Sequence, residues 1–184
     1  MKGYIKTALI LFLICGICTA LCALVNSVTA PVIAAADKAN RDNALLAVSS
    51  PYEAGESAAV DSGRVKSRTE LYDGSALVGY VLDLSTKGYG GDITMIAAYK
   101  LDGSIIGSKV VSDSETAGLG KKCEEDWYMA MFAGKGSSDA VPTSRTMLKS
   151  NESDAVSGAS VTFQGVSAAL KEGSDYVKSV GGVK

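Results

Sequence analysis

The stretch that decides the reading is Asp154-Ala155-Val156-Ser157-Gly158-Ala159-Ser160-Val161-Thr162. After it, apolar side chains fall at Phe163, Val166, Ala169 and Leu170, which is a helical period. The segment predicts a small-residue loop opening into a helix. Such a loop exposes backbone N–H groups, and the start of a helix adds partial positive charge, so a phosphate fits there. Gly158 and Ala159 admit a bulky group close to the backbone. The plain alternative is an N-capped helix after a glycine turn, because Ser, Thr and Asp are favoured caps.

Two glycine-bearing stretches lie upstream. Gly88-Tyr89-Gly90-Gly91 joins two predicted strands. Alone it is a flexible hairpin loop; its other use is a surface on which a flat ring approaches backbone beside Tyr89. Glu115-Thr116-Ala117-Gly118-Leu119-Gly120 reads alone as a strand-to-helix turn.

Around these, strand patterns run over Val65–Tyr72, Ala76–Leu84, Ile93–Leu101 and Ser104–Val111. Asp73-Gly74 and Asp102-Gly103 are turn signals. The run predicts a β-meander of about four strands. Lys121–Phe132 is a helix candidate, with Trp127, Met131 and Phe132 available for packing. Ser49–Gly63, around Pro51, reads as linker, and Gly134–Lys149 as loop. The tail Asp175–Lys184 is expected to be loosely ordered.

The N-terminus begins with Lys2 and Lys6, and no charge follows from Thr7 to Ala36. Ala8–Val28 is long enough to cross roughly 30 Å of hydrocarbon as a helix. The two lysines predict a cytoplasmic N-terminus, with the rest of the chain outside. Thr29-Ala30 and Ala34-Ala35-Ala36 supply small residues for signal cleavage. The apolar core is longer than a signal h-region of about 7–15 residues, which favours a retained anchor. Leu21 is too large for the small residue that precedes a lipoprotein cysteine, so Cys22 is not read as a lipid anchor. Asp37–Val48 reads as a helix leading off the membrane.

Composition excludes several classes. The net charge of −2 over 184 residues gives no basis for a nucleic-acid partner. The absence of His removes His triads, His general bases and His metal ligands; no metal site is expected. Cys15, Cys18 and Cys22 share one face of an apolar helix and read as small packing residues, with Cys123 alone in the polar part. A bound cofactor would supply chemistry that these side chains do not.

Asp154-x-x-Ser157-Gly158-Ala159-Ser160-x-Thr162 resembles the flavinylation motif of FMN-binding domains. Those domains occur in the G subunit of Rnf electron-transport complexes and the C subunit of sodium-pumping NADH:quinone oxidoreductases. The family commonly carries Gly-Tyr-x-Gly, then a strand hairpin, then Glu-Thr-x-Gly-Leu-Gly, then the hydroxyl motif. This chain resembles it in that order, with Ala117 where Pro is frequent and Ser160 where the acceptor is usually Thr.

The resemblance implies FMN joined by a phosphoester to Ser160, with Thr162 as the second candidate acceptor. It implies that Ser157, Gly158, Ala159 and Thr162 line the phosphate. Glu115, Thr116, Leu119 and Gly120 would lie along the flavin, with Tyr89 and Gly90 as further candidates, and no side chain of the chain itself acting as a catalyst. Asp154 would belong to the pattern that a separate flavin transferase recognises.

The implied fold is α+β: one N-terminal membrane helix (1–36), a juxtamembrane helix and linker (37–63), and an antiparallel-sheet FMN-binding domain with packed helices (64–184). The implied function is an electron relay in an Rnf-type ferredoxin:NAD oxidoreductase that couples electron flow to ion translocation. Its partners would be multi-span and other redox subunits, the transferase and membrane lipid, on the outer face of the cell membrane. Three alternatives remain: a C-subunit-like component of the quinone reductase, a flavoprotein of the same fold acting alone, and a cofactor-free anchored extracellular binding domain.

Overall fold

The computed structural model describes residues 2–181. The chain divides into two compact units, Met1–Ala39 and Asn40–Lys184.

The described part of the first unit lies within helix α1 (Lys2–Ser49). Its apolar stretch is long and apolar enough to cross a membrane. Leu9, Phe12, Leu13 and Ile17 are exposed along it. The polar side chains within the stretch turn inward on the helix itself. Thr19 Oγ1 donates to the Cys15 carbonyl (2.8 Å), and Ser27 Oγ to that of Leu24 (2.8 Å). That pattern spares an apolar surrounding any unpaired hydroxyl.

The second unit is built on one five-stranded antiparallel meander, in the order β1-β2-β3-β4-β5. The strands are β1 (Glu53–Ser62), β2 (Val65–Asp73), β3 (Ala76–Lys87), β4 (Asp92–Lys100) and β5 (Ile105–Ser112). Four match the expected strands; β1 does not. Its ten residues carry no strong alternation and nearly all are exposed. It forms because backbone pairing with β2 satisfies its N–H and C=O groups. The stretch read as linker is therefore an edge strand.

The period of two assigns the central strands to two cores. Ile93, Met95, Ala97 and Tyr99 of β4 face one side with Leu82 and Leu84 of β3. Ile96, Ala98 and Val81 face the other. The first face is covered by α4 (Ser160–Gly181), which applies Phe163, Val166, Leu170 and Val177. Their spacings of three, four and seven residues keep them on one face of the helix, as an amphipathic helix requires. At Gly173 a Cβ would lie 2.4 Å from the Tyr99 hydroxyl, so only glycine lets the helix settle there. Tyr99 Oη then donates to the Leu170 carbonyl (3.1 Å). The second face takes Ala44 and Val48, from the part of α1 that belongs to this unit.

Two expectations are corrected. Lys121–Phe132 is not one helix: a 3-10 turn (Gly120–Glu124) precedes a five-residue α2 (Asp126–Ala130). Glu125 between them is extended (ψ 138°), which breaks the helical hydrogen-bond ladder. The tail does not loosen at Asp175, because α4 continues to Gly181 with Val177 buried; residues 182–184 lie outside the described part. A short helix α3 (Ser150–Ala155) comes just before α4.

Candidate functional site

The three stretches singled out in the sequence converge. The β3–β4 loop, the segment after β5 and the start of α4 meet around a cavity of about 400 Å³. Its walls are Tyr89, Glu115, Thr116, Leu119, Gly120, Gly158, Ala159, Ser160, Val161 and Thr162.

Glu115 joins these walls. Its side chain is buried. Oε1 accepts the Gly90 N–H (2.9 Å) and Oε2 accepts the Thr162 hydroxyl (2.5 Å). A Cβ on Gly120 would lie 2.2 Å from Oε2 of Glu115 and 2.9 Å from Oγ1 of Thr162. Glycine at 120 is thus a condition of the close approach, which explains a Gly that the sequence shows only as part of a turn. The Glu115 N–H donates to Asp113 Oδ1 (2.7 Å). Burial pushes the Asp113 carboxyl up, and the neighbouring Glu124 adds to that.

The start of α4 forms the opposite wall. Gly158 sits at φ +85°, a left-handed conformation that suits glycine, and it turns the chain from α3 into α4. The first intrahelical acceptance there is Phe163 N–H to Ala159 O (3.0 Å). The N–H groups of Ser160, Val161 and Thr162 precede it, in residues that line the cavity. A helix start with orphan N–H groups and a small-residue floor is suited to an anion such as a phosphate.

The two hydroxyl candidates are not equivalent. Thr162 is 1% exposed and its hydroxyl is engaged by Glu115. Ser160 is half-buried on the cavity wall.

Nine of the expected site residues line the cavity, and three do not. Gly90 acts through its N–H on Glu115. Ser157 is exposed at the α3–α4 turn, where its N–H donates to the Asp154 carbonyl (3.1 Å). Asp154 is exposed on α3. Val161 also lines the cavity, 50% exposed, and sequence reasoning does not single it out. Its only signal is its place between two hydroxyl residues at a helix start.

Cys123 is buried and does not line the cavity. Burial, then the charges of Asp113, Glu124 and Glu115, push its thiol up to about 12. Burial likewise raises the Tyr128 phenol.

The cavity fits FMN on three counts. Its volume lies in the roughly 300–1,000 Å³ range of cofactor sites. Its floor is glycine and alanine, and a helix start faces the place where a phosphate would lie.

Residues 88–175 match the FMN-binding domain family, and residues 2–48 match the RnfG N-terminal region. The chain is similar to the G subunit of the proton-translocating ferredoxin:NAD(+) oxidoreductase complex of Clostridium ljungdahlii: 32% identical over 111 residues, 60% of each chain. It is 29% identical over 185 residues to the G subunit of the Na(+)-translocating ferredoxin:NAD(+) oxidoreductase complex of Acetobacterium woodii, covering 92% of this chain and 89% of that one. The crystal structure of NqrC from Shewanella oneidensis aligns with a TM-score of 0.49 at 21% identity, over 67% of this chain and 69% of that one. Against the G subunits of other ion-translocating oxidoreductase complexes, the chain spans about half of their length.

Proposed function

We propose that this chain, which carries an FMN-binding domain behind an RnfG-type N-terminal region, is a membrane-anchored electron-transfer subunit with FMN joined through its phosphate to Ser160. The observation that carries this reading is the convergence of three separate glycine and hydroxyl stretches on one cavity at the start of α4.

The flavin supplies reversible electron uptake when bound. The chain's residues hold and shield it. The N–H groups at the start of α4 neutralise the phosphate, and the Gly158-Ala159 floor lets it approach. Leu119 and Val161 furnish apolar walls that exclude water. Tyr89, on the loop held through Gly90, flanks the ring. Ser160 is the acceptor rather than Thr162, because the Thr162 hydroxyl is buried and already bonded to Glu115. A flavin transferase, acting in trans, reaches Ser160 through the open side of the cavity. Ser157 lies at the turn before the phosphate, and exposed Asp154 lies in the motif that the transferase reads.

The apolar stretch of α1 anchors the chain in the cell membrane as a single span. Lys2 and Lys6 keep its N-terminus cytoplasmic, so the flavin domain faces outward. The relatives belong, by name, to ferredoxin:NAD(+) oxidoreductase complexes. This chain takes the same place: a relay within an Rnf-type oxidoreductase that couples electron flow to ion translocation, docked to multi-span and other redox subunits.

The test is co-expression with a flavin transferase, followed by in-gel flavin fluorescence of the denatured protein. Wild type and Thr162→Val fluoresce, and Ser160→Ala does not. Full fluorescence in Ser160→Ala would refute the assignment.

A further inference from the structure

Among the described residues, the cavity wall carries one charged side chain, Glu115. It is 5% exposed. Among the described residues it takes part in none of the ion pairs. Lys121 is engaged elsewhere, 2.8 Å from Glu124 and 3.8 Å from Asp113. Both Glu115 oxygens instead accept hydrogen bonds from neutral donors, the Gly90 N–H and the Thr162 hydroxyl. Those two bonds fix the carboxylate in place without cancelling its charge.

We propose that Glu115 sets the reduction potential of the flavin held in this cavity and keeps it low. The inference rests on the reading that the cavity holds the flavin ring. On reduction by a one-electron donor such as dithionite, the ring would gain the electron that the donor loses and take up a proton from solvent. A fixed negative charge beside the ring opposes that gain, and does so more strongly in a buried site than in water. Among the described residues, no cation lines the cavity to offset it. The N–H groups at the start of α4 serve the tether, and Glu115 spans from Thr162 there to Gly90 on the loop that carries Tyr89, so its charge lies along the wall between the two. Glu115 is thus a potential-setting residue and also the positioning residue for the loop at Gly90.

The experiment is a spectroelectrochemical titration of the full chain carrying covalent flavin, with circular dichroism as the check on folding. Glu115→Gln keeps the shape and removes the charge; its midpoint potential moves positive. Glu115→Asp keeps the charge and stays nearer to wild type. A folded, flavin-loaded Glu115→Gln with the wild-type potential overturns the proposal. Should Glu115→Gln lose its fold, Glu115→Ala takes its place. It removes the charge and leaves no buried amide to satisfy, so its potential moves positive, and an unchanged value overturns the proposal equally. A wild-type chain that accepts no flavin would refute the function proposed above. A loaded chain whose potential ignores these substitutions would refute this inference alone.

Discussion

The two faces of the sheet are built from the same strands by different means. On the α4 face, Phe163, Val166, Leu170 and Val177 press large side chains onto Leu82, Leu84, Ile93 and Met95. On the other face, Ala44 and Val48 cover Leu71, Val81, Ile96 and Ala98, and much of the contact is small. What that face lacks in apolar bulk it offsets with a polar lock. Arg41 donates to both oxygens of Asp83 (3.0 and 2.6 Å), and Ser67 donates to the same carboxylate. The cavity belongs to the first face. A wall made of a helix start is only as well placed as the helix, and α4 is fixed by the larger core. Stability and cofactor geometry are therefore coupled on one face and separable on the other.

Phe163→Ala should break that coupling most severely. The ring is buried one residue beyond Thr162 and stacks on Phe132 at 6.0 Å. Its loss costs about 3–5 kcal/mol, read as a lowered denaturation midpoint, and covalent flavin falls with it.

Arg41→Ala comes next. It leaves Asp83, whose side chain is 15% exposed, without its cation. The cost is about 1.5–3 kcal/mol, measured by chemical denaturation, while flavin content per folded chain stays at the wild-type level. A matching loss of flavin would show that the two faces are not separable.

The smallest effect concerns pH. The hydroxyl and then the N–H of Ser104 hold Asp102 below the usual carboxylate range in the β4–β5 turn. A depressed carboxyl contributes stability above its unfolded value of about 3.9. That contribution is lost as pH falls through the lower folded value. Ser104→Ala should lower stability slightly at neutral pH, with the deficit closing as pH falls through the folded value, so the acid-denaturation profile flattens.

The sequence was most legible where packing is two-sided. Strands β2 to β5 announce themselves because their apolar residues and glycine turns must satisfy two cores at once. Edge strand β1 is silent: Ala54, Ser57, Ala58 and Ala59 are exposed and pair with β2 through backbone. The break at Glu125 is equally silent, since nothing in Lys121–Phe132 forbids a helix and the tertiary setting decides. At the site, the three stretches could be found by their spacing. That Glu115 turns inward, and that Thr162 spends its hydroxyl on it, could not be read. Ser160 and Thr162 are separated by about 200° around a helix of 3.6 residues per turn. The spacing implies that their hydroxyls point different ways. Which one meets Glu115 follows only when the segment after β5 is in place.

The most direct test is the intact mass of the full chain co-expressed with a flavin transferase, followed by peptide mapping. The account predicts one added FMN less one water per chain, carried on the tryptic peptide from Ser150 to Lys171 and located at Ser160. An unmodified chain beside an active transferase, or a flavin located at Thr162, would contradict it.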